Sequence, residues 1–292
     1  MQIQPIDRVE EIAPQEFTEK YFKPRKPVVI AGLSKNWPAR HKWTWQHFID
    51  LVGNEMVGLY NNTRADANTK VNGYDEEMRF GDYLEMVRKG PIELRIFLFN
   101  IFKYAPQLVQ DFTWPDHLMR GFLKKYPMLF VGGAGSVAHM HYDIDLSHIM
   151  HTQFVGRKRV LLLPNDQSPL IYKMPLTVES AASFVGWENG VDEEKFPALK
   201  YARGYTTILE HGDTLFMPAG YWHHMQYMDS GFAMSLRALD ETLLGKLNGF
   251  YHIGPMRLMN NLLIKTKPTW WYHYKRKAAH RSAEKALAGV KP

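Results

Sequence analysis

Short apolar runs separated by turn residues dominate the sequence between residues 27 and 239. Runs rich in β-branched and aromatic residues are typical of β-strands, and glycine, proline and asparagine between them are typical of turns. We predict strands at 27–31, 93–100, 205–210, 213–217, 221–227 and 232–239, with a further β-rich run over 130–163. Many short strands joined by turns predict a mainly β fold, an antiparallel double-sheet jelly roll.

Apolar residues at helical spacing are found on both sides of this β region. Helices are predicted at 14–21, 43–52, 82–87, 105–112 and 115–125, with Thr44 as a suitable N-cap for the second of them. After residue 240 a helical face recurs, formed by Leu243, Leu244, Leu247, Phe250 and Tyr251. We therefore predict one domain over residues 1–239, with α/β elements at its N-terminus, and a helical extension over 240–292.

Composition narrows the class of protein. The chain has 292 residues, 45% of them apolar, which is enough for one large β domain with helical additions. It has no cysteine, which excludes disulfides. The first residues lack the continuous apolar core of a signal peptide, and the longest apolar runs are too short to span a membrane. These features predict a cytoplasmic protein without a membrane segment.

Three residues of the β region form a candidate metal site. His141 and Asp143 flank Tyr142 in a predicted strand, where alternate side chains point to the same face. A predicted strand and turn over 214–220 bring His223 onto a neighbouring strand. Two histidines and one carboxylate form the facial triad of non-haem Fe(II) oxygenases, which leaves the opposite face of the ion for cosubstrate and O₂. A His-x-Asp triplet alone often arises by chance, so the surrounding motifs carry the prediction.

Two further motifs accompany these ligands. The first is GRKRV at 156–160, a turn followed by an apolar strand with a cation at its start, and the second is GDTLFMP at 212–218, shortly before WHH at 222–224. An aromatic N-terminal segment leads into PVVIAG at 27–32 and WPA at 37–39. Together these motifs resemble the cupin-like JmjC family over most of the chain, up to about residue 240.

The resemblance implies a double-stranded β-helix of the cupin type and an Fe(II)- and 2-oxoglutarate-dependent oxygenase. His141, Asp143 and His223 match the iron ligands of the family, and Lys158 matches the lysine that binds the distal carboxylate of 2-oxoglutarate. Gln153 stands where the family has a glutamine before its Gly-x-Lys turn. The expected reaction hydroxylates a protein side chain, with RNA such as tRNA as the second substrate, and yields succinate and CO₂. Histone demethylation ranks lower, because no reader domain accompanies the fold.

The sequence departs from the family pattern around the metal ligands. The segment between Asp143 and Gly156 is about two residues longer than is usual in the family. Either a β-bulge follows Asp143, or the ligand pair is displaced toward His139 or Asp145, which share one face of a regular strand. Asp145 and His148 are then candidates for orienting the ligands or facing the substrate.

The expected contacts to the cosubstrate also differ from the family. Ile149 stands where the family often has an asparagine, and Ala138 stands where a threonine can serve. We predict Ser136 and Thr152 as substitutes that bind the cosubstrate together with Lys158.

Two predicted loops border the β region. Residues 165–200 form a long excursion that either frames the substrate entrance or is a passive surface loop. Residues 61–73 are polar and rich in turn formers, which predicts a loop or hairpin.

The last segment, 269–292, is basic and aromatic, and it holds much of the excess in a formal net charge of +6. Such a segment either binds nucleic acid or forms helices that bury its aromatic residues against a second copy of the chain. We rank a homodimer through the C-terminal helices first, because charge runs mostly serve solubility and non-specific attraction.

Two other classes of function stay open. A non-catalytic cupin that binds a structural metal, or none, and acts as an interaction module would account for Ile149 and the lengthened segment after Asp143. A metal-dependent isomerase, or a dioxygenase without cosubstrate, fits the ligands but leaves Lys158 unexplained.

Overall fold

The computed structural model describes residues 1–64, 73–240 and 242–290, and the strands in this part of the chain form two sheets. The strands are β1 (Gln2–Pro5), β2 (Asp7–Val9), β3 (Val28–Ile30), β4 (Met56–Tyr60), β5 (Glu76–Arg79), β6 (Arg95–Phe99), β7 (Met128–Gly132), β8 (Val137–His141), β9 (His148–Val155), β10 (Lys158–Leu163), β11 (Arg203–Leu209), β12 (Thr214–Met217), β13 (Trp222–Tyr227) and β14 (Gly231–Ala238). The smaller sheet has the order β1-β11-β10-β13-β8, and the larger has the order β2-β3-β12-β9-β14-β7-β6-β4-β5.

From β7 onward the chain passes back and forth between the two sheets, with one step inside the smaller sheet from β10 to β11. The strands β11, β10, β13 and β8 pair with one another in antiparallel fashion, and so do β12, β9, β14 and β7 in the larger sheet. Two such sets of strands are the double-stranded β-helix of a jelly roll. The predicted fold class is confirmed.

Strand β10 shows how the two faces of the smaller sheet are used. Val160 and Leu162 point between the sheets and pack in one cluster with Leu215 of the larger sheet. Leu161 and Leu163 point to the other side, where they pack against the excursion over 165–200. The run of apolar residues in this strand follows from burial on both faces.

Helices flank the two sheets in the described part of the chain. They are α1 (Pro14–Phe17), α2 (Ala39–Lys42), α3 (Trp45–Val52), α4 (Phe80–Lys89), α5 (Leu243–Tyr251), α6 (Arg257–Thr266) and α7 (Pro268–Val290). Phe17, Phe48 and Phe80 of the first helices are buried in one cluster with Phe216 and Phe232 of the larger sheet. This packing fixes the N-terminal elements on the jelly roll.

Most predicted helices are found where the sequence places them. Thr44 caps α3 by accepting a hydrogen bond from the backbone N–H of His47. The helix predicted at 14–21 forms as α1 followed by a π-helical turn, Thr18–Phe22. The helix predicted at 105–112 is a 3₁₀ helix, Pro106–Asp111.

The prediction of a helix at 115–125 is wrong. The backbone N–H of Leu123 donates to the carbonyl of Arg237, and the N–H of Leu239 donates to the carbonyl of Gly121. This segment therefore pairs with the end of β14, and Gly121, with a φ of 82°, has a backbone conformation that a right-handed helix does not allow.

The C-terminal extension consists of α5, a π-helical segment (His252–Met256), α6 and α7, so its predicted helical character is confirmed. Ala279 and Ala283 of α7 are buried against the excursion, and the ring of His280 lies 4.9 Å from that of Tyr172. Within the residues that the structure describes, no helix is both long and apolar enough to cross a membrane.

Two predictions fall partly outside the described residues. Most of the predicted loop at 61–73 does so, since residues 65–72 are not described. Of the apolar face predicted for α5, Leu247, Phe250 and Tyr251 are exposed, and the side chains of Leu243 and Leu244 lie outside the described part.

Candidate metal centre

His141, Asp143 and His223 meet on the inner side of the smaller sheet. The register of β13 with β8 places His223 directly opposite His141, and the centres of their rings are 4.2 Å apart. Asp143 follows the end of β8, and one potential ligand atom from each of the three residues lies within 4.8 Å of the others. The structure thus brings the three predicted ligands together.

The lengthened segment is accommodated in a way that the sequence analysis does not predict. The register between β8 and β13 shifts between Ala138 and His141, so a bulge precedes the ligand pair. Neither alternative offered by the sequence is found, because a turn follows Asp143 and the ligand pair is not displaced to His139 or Asp145. Strand β8 ends at His141, and residues 142–147 form a turn in which Leu146 has a φ of 51°. This turn takes up the extra length before β9 begins.

Backbone carbonyls orient both imidazoles. His141 Nδ1 lies 2.7 Å from the carbonyl oxygen of His139, and His223 Nδ1 lies 3.2 Å from that of Tyr221. Each Nδ1 therefore carries the hydrogen and donates it, which leaves a lone pair on Nε2 of each ring. Burial lowers the pKa of His141 to about 4 and also lowers the pKa of His223. Both rings are therefore neutral near pH 7, as metal ligands must be.

Arg237 keeps the carboxylate of Asp143 ionised. Its Nη2 donates to Asp143 Oδ1 at 3.1 Å, and its Nη1 lies 3.1 and 3.0 Å from the two carboxylate oxygens of Asp145. Burial alone would raise the pKa of Asp143, but Arg237 and the two histidines outweigh it and hold that pKa at about 2. Asp145 therefore acts on the site through Arg237.

This donor set fits Fe(II). Two neutral imidazoles and one ionised carboxylate on one side of an ion leave its other coordination positions open. Hydrogen bonds from ligand histidines to carbonyl groups are the usual way in which proteins fix the orientation of such ligands. His141, Asp143 and His223 would hold the ion.

A cavity of about 450 Å³ adjoins the three ligands. Its walls include Met174 and Glu179 from the excursion and Tyr272 and Arg276 from α7. Of the two interpretations of the excursion, the structure favours a wall of the site over a passive surface loop.

Lys158 lies in this cavity at the start of β10, as the sequence predicts, and it is almost fully buried. Its Nζ lies 3.0 Å from His151 Nε2 and 4.3 Å from the centre of the Tyr227 ring. Burial lowers the pKa of Lys158 to about 7, and among the described residues no carboxylate offsets this effect. A buried ammonium group without a carboxylate partner is costly, and an anionic group beside it would stabilise its charge.

Ser136 and Thr152, which we predicted as cosubstrate contacts, are not brought to the cavity. The Ser136 hydroxyl donates to the carbonyl of Gly133 at 2.7 Å, and the hydroxyl of Thr152 lies 2.9 Å from that of Thr214. Thr152 lies on the face of β9 opposite to that of His151, which lines the cavity. Neither hydroxyl is placed to contact a molecule there, which corrects the prediction.

Two other residues singled out by the sequence have structural roles. His148 is buried with its ring stacked on that of Phe216, 5.8 Å between centres, and it does not line the cavity. The side-chain amide of Gln153 donates to the carbonyls of Val155 and Gly156, so it shapes the turn that precedes β10.

Four residues of the site are absent from the sequence prediction, namely His151, Tyr227, Ser235 and Arg237. The register of β9 with β14 places Ser235 opposite His151, and the Ser235 hydroxyl lies 2.8 Å from His151 Nδ1. The sequence contained one indication of these residues: Ser235 and Arg237 are two polar residues on one face of an otherwise apolar strand.

A jelly roll with two histidines and one carboxylate beside a cavity defines a cupin-type metal site. The family model of the Cupin-like domain matches residues 14–238, and the chain belongs to this family, the JmjC-type cupins indicated by its motifs.

Several relatives carry names of demethylases. Lysine-specific demethylase 8 of Xenopus tropicalis is 24% identical over 229 residues, which cover 76% of this chain and 50% of that protein. Lysine-specific demethylase JMJ30 of Arabidopsis thaliana is 27% identical over 226 residues, which cover 75% of this chain and 51% of that protein. Arginine-specific demethylase JMJ20 of Arabidopsis thaliana is 26% identical over 269 residues, which cover 78% of this chain and 56% of that protein. The chain thus spans about half the length of these relatives.

Proposed function

We propose that the chain is an Fe(II)- and 2-oxoglutarate-dependent oxygenase that hydroxylates a protein side chain. One observation carries the proposal: His141, Asp143 and His223 line the same cavity as the side chain of Lys158. A metal site and a cation in one cavity match the two ends of a 2-oxo dicarboxylic acid. Membership of the JmjC-type family, which uses Fe(II) and 2-oxoglutarate, supports it.

Each residue of the cavity has a defined part in this proposal. His141 and His223 would bind Fe(II) through Nε2, and Asp143 would bind it through its carboxylate. The bound metal would supply oxidation of a substrate C–H bond by O₂: one oxygen atom enters the substrate as a hydroxyl group, and the other enters succinate as 2-oxoglutarate loses CO₂. Lys158 would hold the distal carboxylate, and the apolar side chain of Ile149 helps to exclude water from the cavity.

Demethylation of a protein side chain is the second candidate reaction. Three relatives are named as lysine- or arginine-specific demethylases. Hydroxylation of an N-methyl carbon gives a hydroxymethylamine that releases formaldehyde, so both reactions need the same C–H oxidation. Asp75 and Glu179 in the cavity lining offer carboxylates to a cationic substrate side chain.

The proposal is tested first by binding. Fe(II) and 2-oxoglutarate are added to the full chain without O₂, and the weak visible absorption of the metal-bound 2-oxo acid is measured. We expect the band in the wild type and its loss in His223→Ala. A folded wild-type protein that binds metal but gives no band would favour the non-catalytic cupin instead.

Substrate class is tested by mass spectrometry of products under O₂. Hydroxylation adds one oxygen atom to an unmodified peptide, whereas demethylation removes a methyl group and releases formaldehyde. Turnover of tRNA but of no peptide would contradict a protein substrate. We expect Asp143→Ala to abolish succinate formation with every substrate, and retained turnover would contradict the ligand assignment.

We also propose a homodimer through the C-terminal helices. Phe250 of α5 and Leu258 and Leu262 of α6 are more than half exposed, at 70%, 72% and 58%. Leu258 and Leu262 lie one turn apart on one helix face, where a second copy would cover them. We expect Leu258→Glu to convert a dimer into a monomer on a sizing column. A monomeric wild type with salt-sensitive RNA binding would support the nucleic-acid alternative.

A cytoplasmic location is also proposed, and imaging of the tagged full chain tests it.

A further inference from the structure

The mouth of the cavity lies beside one of the metal ligands. Residues 173–180 of the excursion form a small hairpin in which Lys173 pairs with Ser180, and the backbone of Glu179 pairs with that of His141. Glu179 lines the cavity and keeps partial access to solvent. A substrate that reaches the metal with one side chain therefore places its neighbouring residues along this hairpin.

Arg64 is fixed against the same hairpin. Its Nη2 donates to the carbonyl oxygen of Ser180 at 2.6 Å, and its Nη1 donates to that of Ala181 at 3.4 Å. The side chain lines the cavity and is half-buried. A guanidinium group has five N–H donors, so these two bonds, the ones that Arg64 forms within the described residues, hold the group in place and leave donors for a ligand.

Arg276 of α7 brings a second guanidinium group to the mouth. It lies over the ring of Tyr272, 5.6 Å from the ring centre, and both residues line the cavity. Burial, followed by the positive charge of Arg276, lowers the pKa of Arg64, so the two cations act on each other. Like charges in proximity are unfavourable, and an anionic group beside both would relieve the repulsion.

Cations outnumber carboxylates at this mouth. The charge of Glu179 offsets part of the lowering of pKa that burial causes in Arg64 and in Lys275, which is 7% exposed. Three cations, Arg64, Lys275 and Arg276, thus meet one carboxylate. A ligand that carries a negative charge would restore the balance.

We propose that Arg64 and Arg276 together bind a carboxylate of the peptide substrate, namely an aspartate or glutamate side chain next to the residue that is oxidised. Guanidinium groups suit this task because they bind carboxylates through paired hydrogen bonds. The inference rests on the proposed oxygenase function, and it gives α7 a part in selecting the substrate.

A single carboxylate suits this mouth better than a chain of phosphate groups. Asp75 and Arg95 also line the cavity and add one charge of each sign, so the excess of positive charge is small. Asp75 and Glu179 would repel closely spaced phosphates. The charges therefore favour an acidic peptide over RNA.

The test measures peptide binding to the full chain loaded with Mn²⁺ and 2-oxoglutarate. Two pools of short fluorescent peptides have a randomised central residue, which is flanked by aspartate in one pool and by lysine in the other. Fluorescence anisotropy gives the dissociation constants. We expect the aspartate pool to bind at least about 10-fold more tightly than the lysine pool, as for one charge-assisted contact.

Variants separate charge recognition from a structural role. Arg64→Gln and Arg276→Gln should each lose most of the preference for the aspartate pool, and Arg276→Glu should transfer the preference to the lysine pool. Loss of a purely structural contact would weaken both pools and would not reverse the preference. Arg281→Gln, which removes an exposed cation of the same helix, is the matched control and should bind both pools as the wild type does.

The outcomes are distinct when the visible band of Fe(II) and 2-oxoglutarate is measured on the same proteins. No band in the wild type would count against the oxygenase function, whatever the pools show. A normal band with equal binding of the two pools, or with no binding of either, would overturn the inference and leave the oxygenase function intact. An unchanged preference in Arg276→Glu would also overturn it. Binding of tRNA in place of the aspartate pool, lost in Arg276→Gln, would assign the two arginines to nucleic acid instead. If Arg64→Gln does not fold, the Arg276 variants decide the test.

Discussion

The guanidinium group of Arg237 lies between Asp143 and Asp145, 3.1 Å from the carboxylate that would bind the metal. Burial alone would lower the pKa of Arg237, but the two carboxylates raise it, so the cation persists throughout the pH range of the folded protein. Arg237 fixes the direction of the Asp143 side chain, which follows the end of a strand and has no regular sheet pairing to hold it. The turn over 142–147 brings Asp145 to the same cation.

Arg237→Gln is expected to weaken metal binding about 10- to 100-fold, as is typical when a group that orients a ligand is removed. The pKa of Asp143 should rise in the variant, so the loss should be larger at lower pH. Calorimetric titration with metal at several pH values measures both effects. Mn²⁺ is used in place of Fe(II) because it is not readily oxidised. Arg88→Gln, which removes an exposed ion pair with Glu85, is the control. Equal affinities in Arg237→Gln and wild type would contradict a role in orienting the ligand.

Binding of 2-oxoglutarate is expected to weaken as pH rises. Burial lowers the pKa of Lys158 to about 7 in the free protein, so above this value the side chain is mostly neutral and must take up a proton to pair with a carboxylate. The dissociation constant should therefore increase between about pH 7 and about pH 9. Binding enthalpies in buffers of different ionisation enthalpy would reveal the proton uptake. Lys158→Arg should remove the pH dependence, because arginine stays charged.

Lys158→Met is expected to stabilise the protein while abolishing cosubstrate binding. The pKa of Lys158 falls from 10.5 to about 7 on folding, so the unfolded chain holds the proton more tightly and the charge opposes folding. At pH 7 we expect a gain of about 1–4 kcal/mol in the free energy of unfolding. Between pH 7 and about pH 10 the wild type gains stability and the difference should shrink. Thermal unfolding at both pH values tests this, and a lower melting temperature of the variant at pH 7 would contradict it.

Ala283→Glu is expected to separate α7 from the excursion. Ala283 is 1% exposed in a cluster of apolar residues, and an ionised side chain there lacks both space and a partner. We expect a loss of about 2–4 kcal/mol in local stability. Limited proteolysis should then cut the C-terminal helices faster than in the wild type. The exposed position 288 provides the control Ala288→Glu, and equal cleavage rates in the two variants would contradict the packing role of α7.

The metal ligands could be predicted from the sequence because strand alternation and turn residues, which are local features, determine their placement. The strand, turn and strand over 214–227 put His223 beside His141, and the glycine turn before Lys158 put its ammonium at a strand start. His151 and Arg237 could not be predicted, because their roles depend on which strands become neighbours and on the register of the pairing. Register also explains the error at Thr152, since one step along a strand moves a side chain to the other face.

The helix that did not form at 115–125 has a different cause. Leu118 and Met119 of this segment are buried in the core. The hydrogen bonds of its backbone are supplied instead by the end of β14, a partner more than a hundred residues later in the chain. Local propensity cannot show such a partner, so the sequence alone suggested a helix where the backbone pairs with a distant strand.

The walls of the cavity come from residues as early as Tyr60 and as late as Arg276. Contacts between such distant parts of a chain form slowly and late in folding, because long loops must close first. The cavity that is proposed to bind the cosubstrate would therefore be incomplete in a partly folded molecule, even where the His141 and His223 strands are already paired. If the proposed function holds, an incomplete chain would still bind metal through the paired strands, whereas tight binding of 2-oxoglutarate would identify the completely folded molecules.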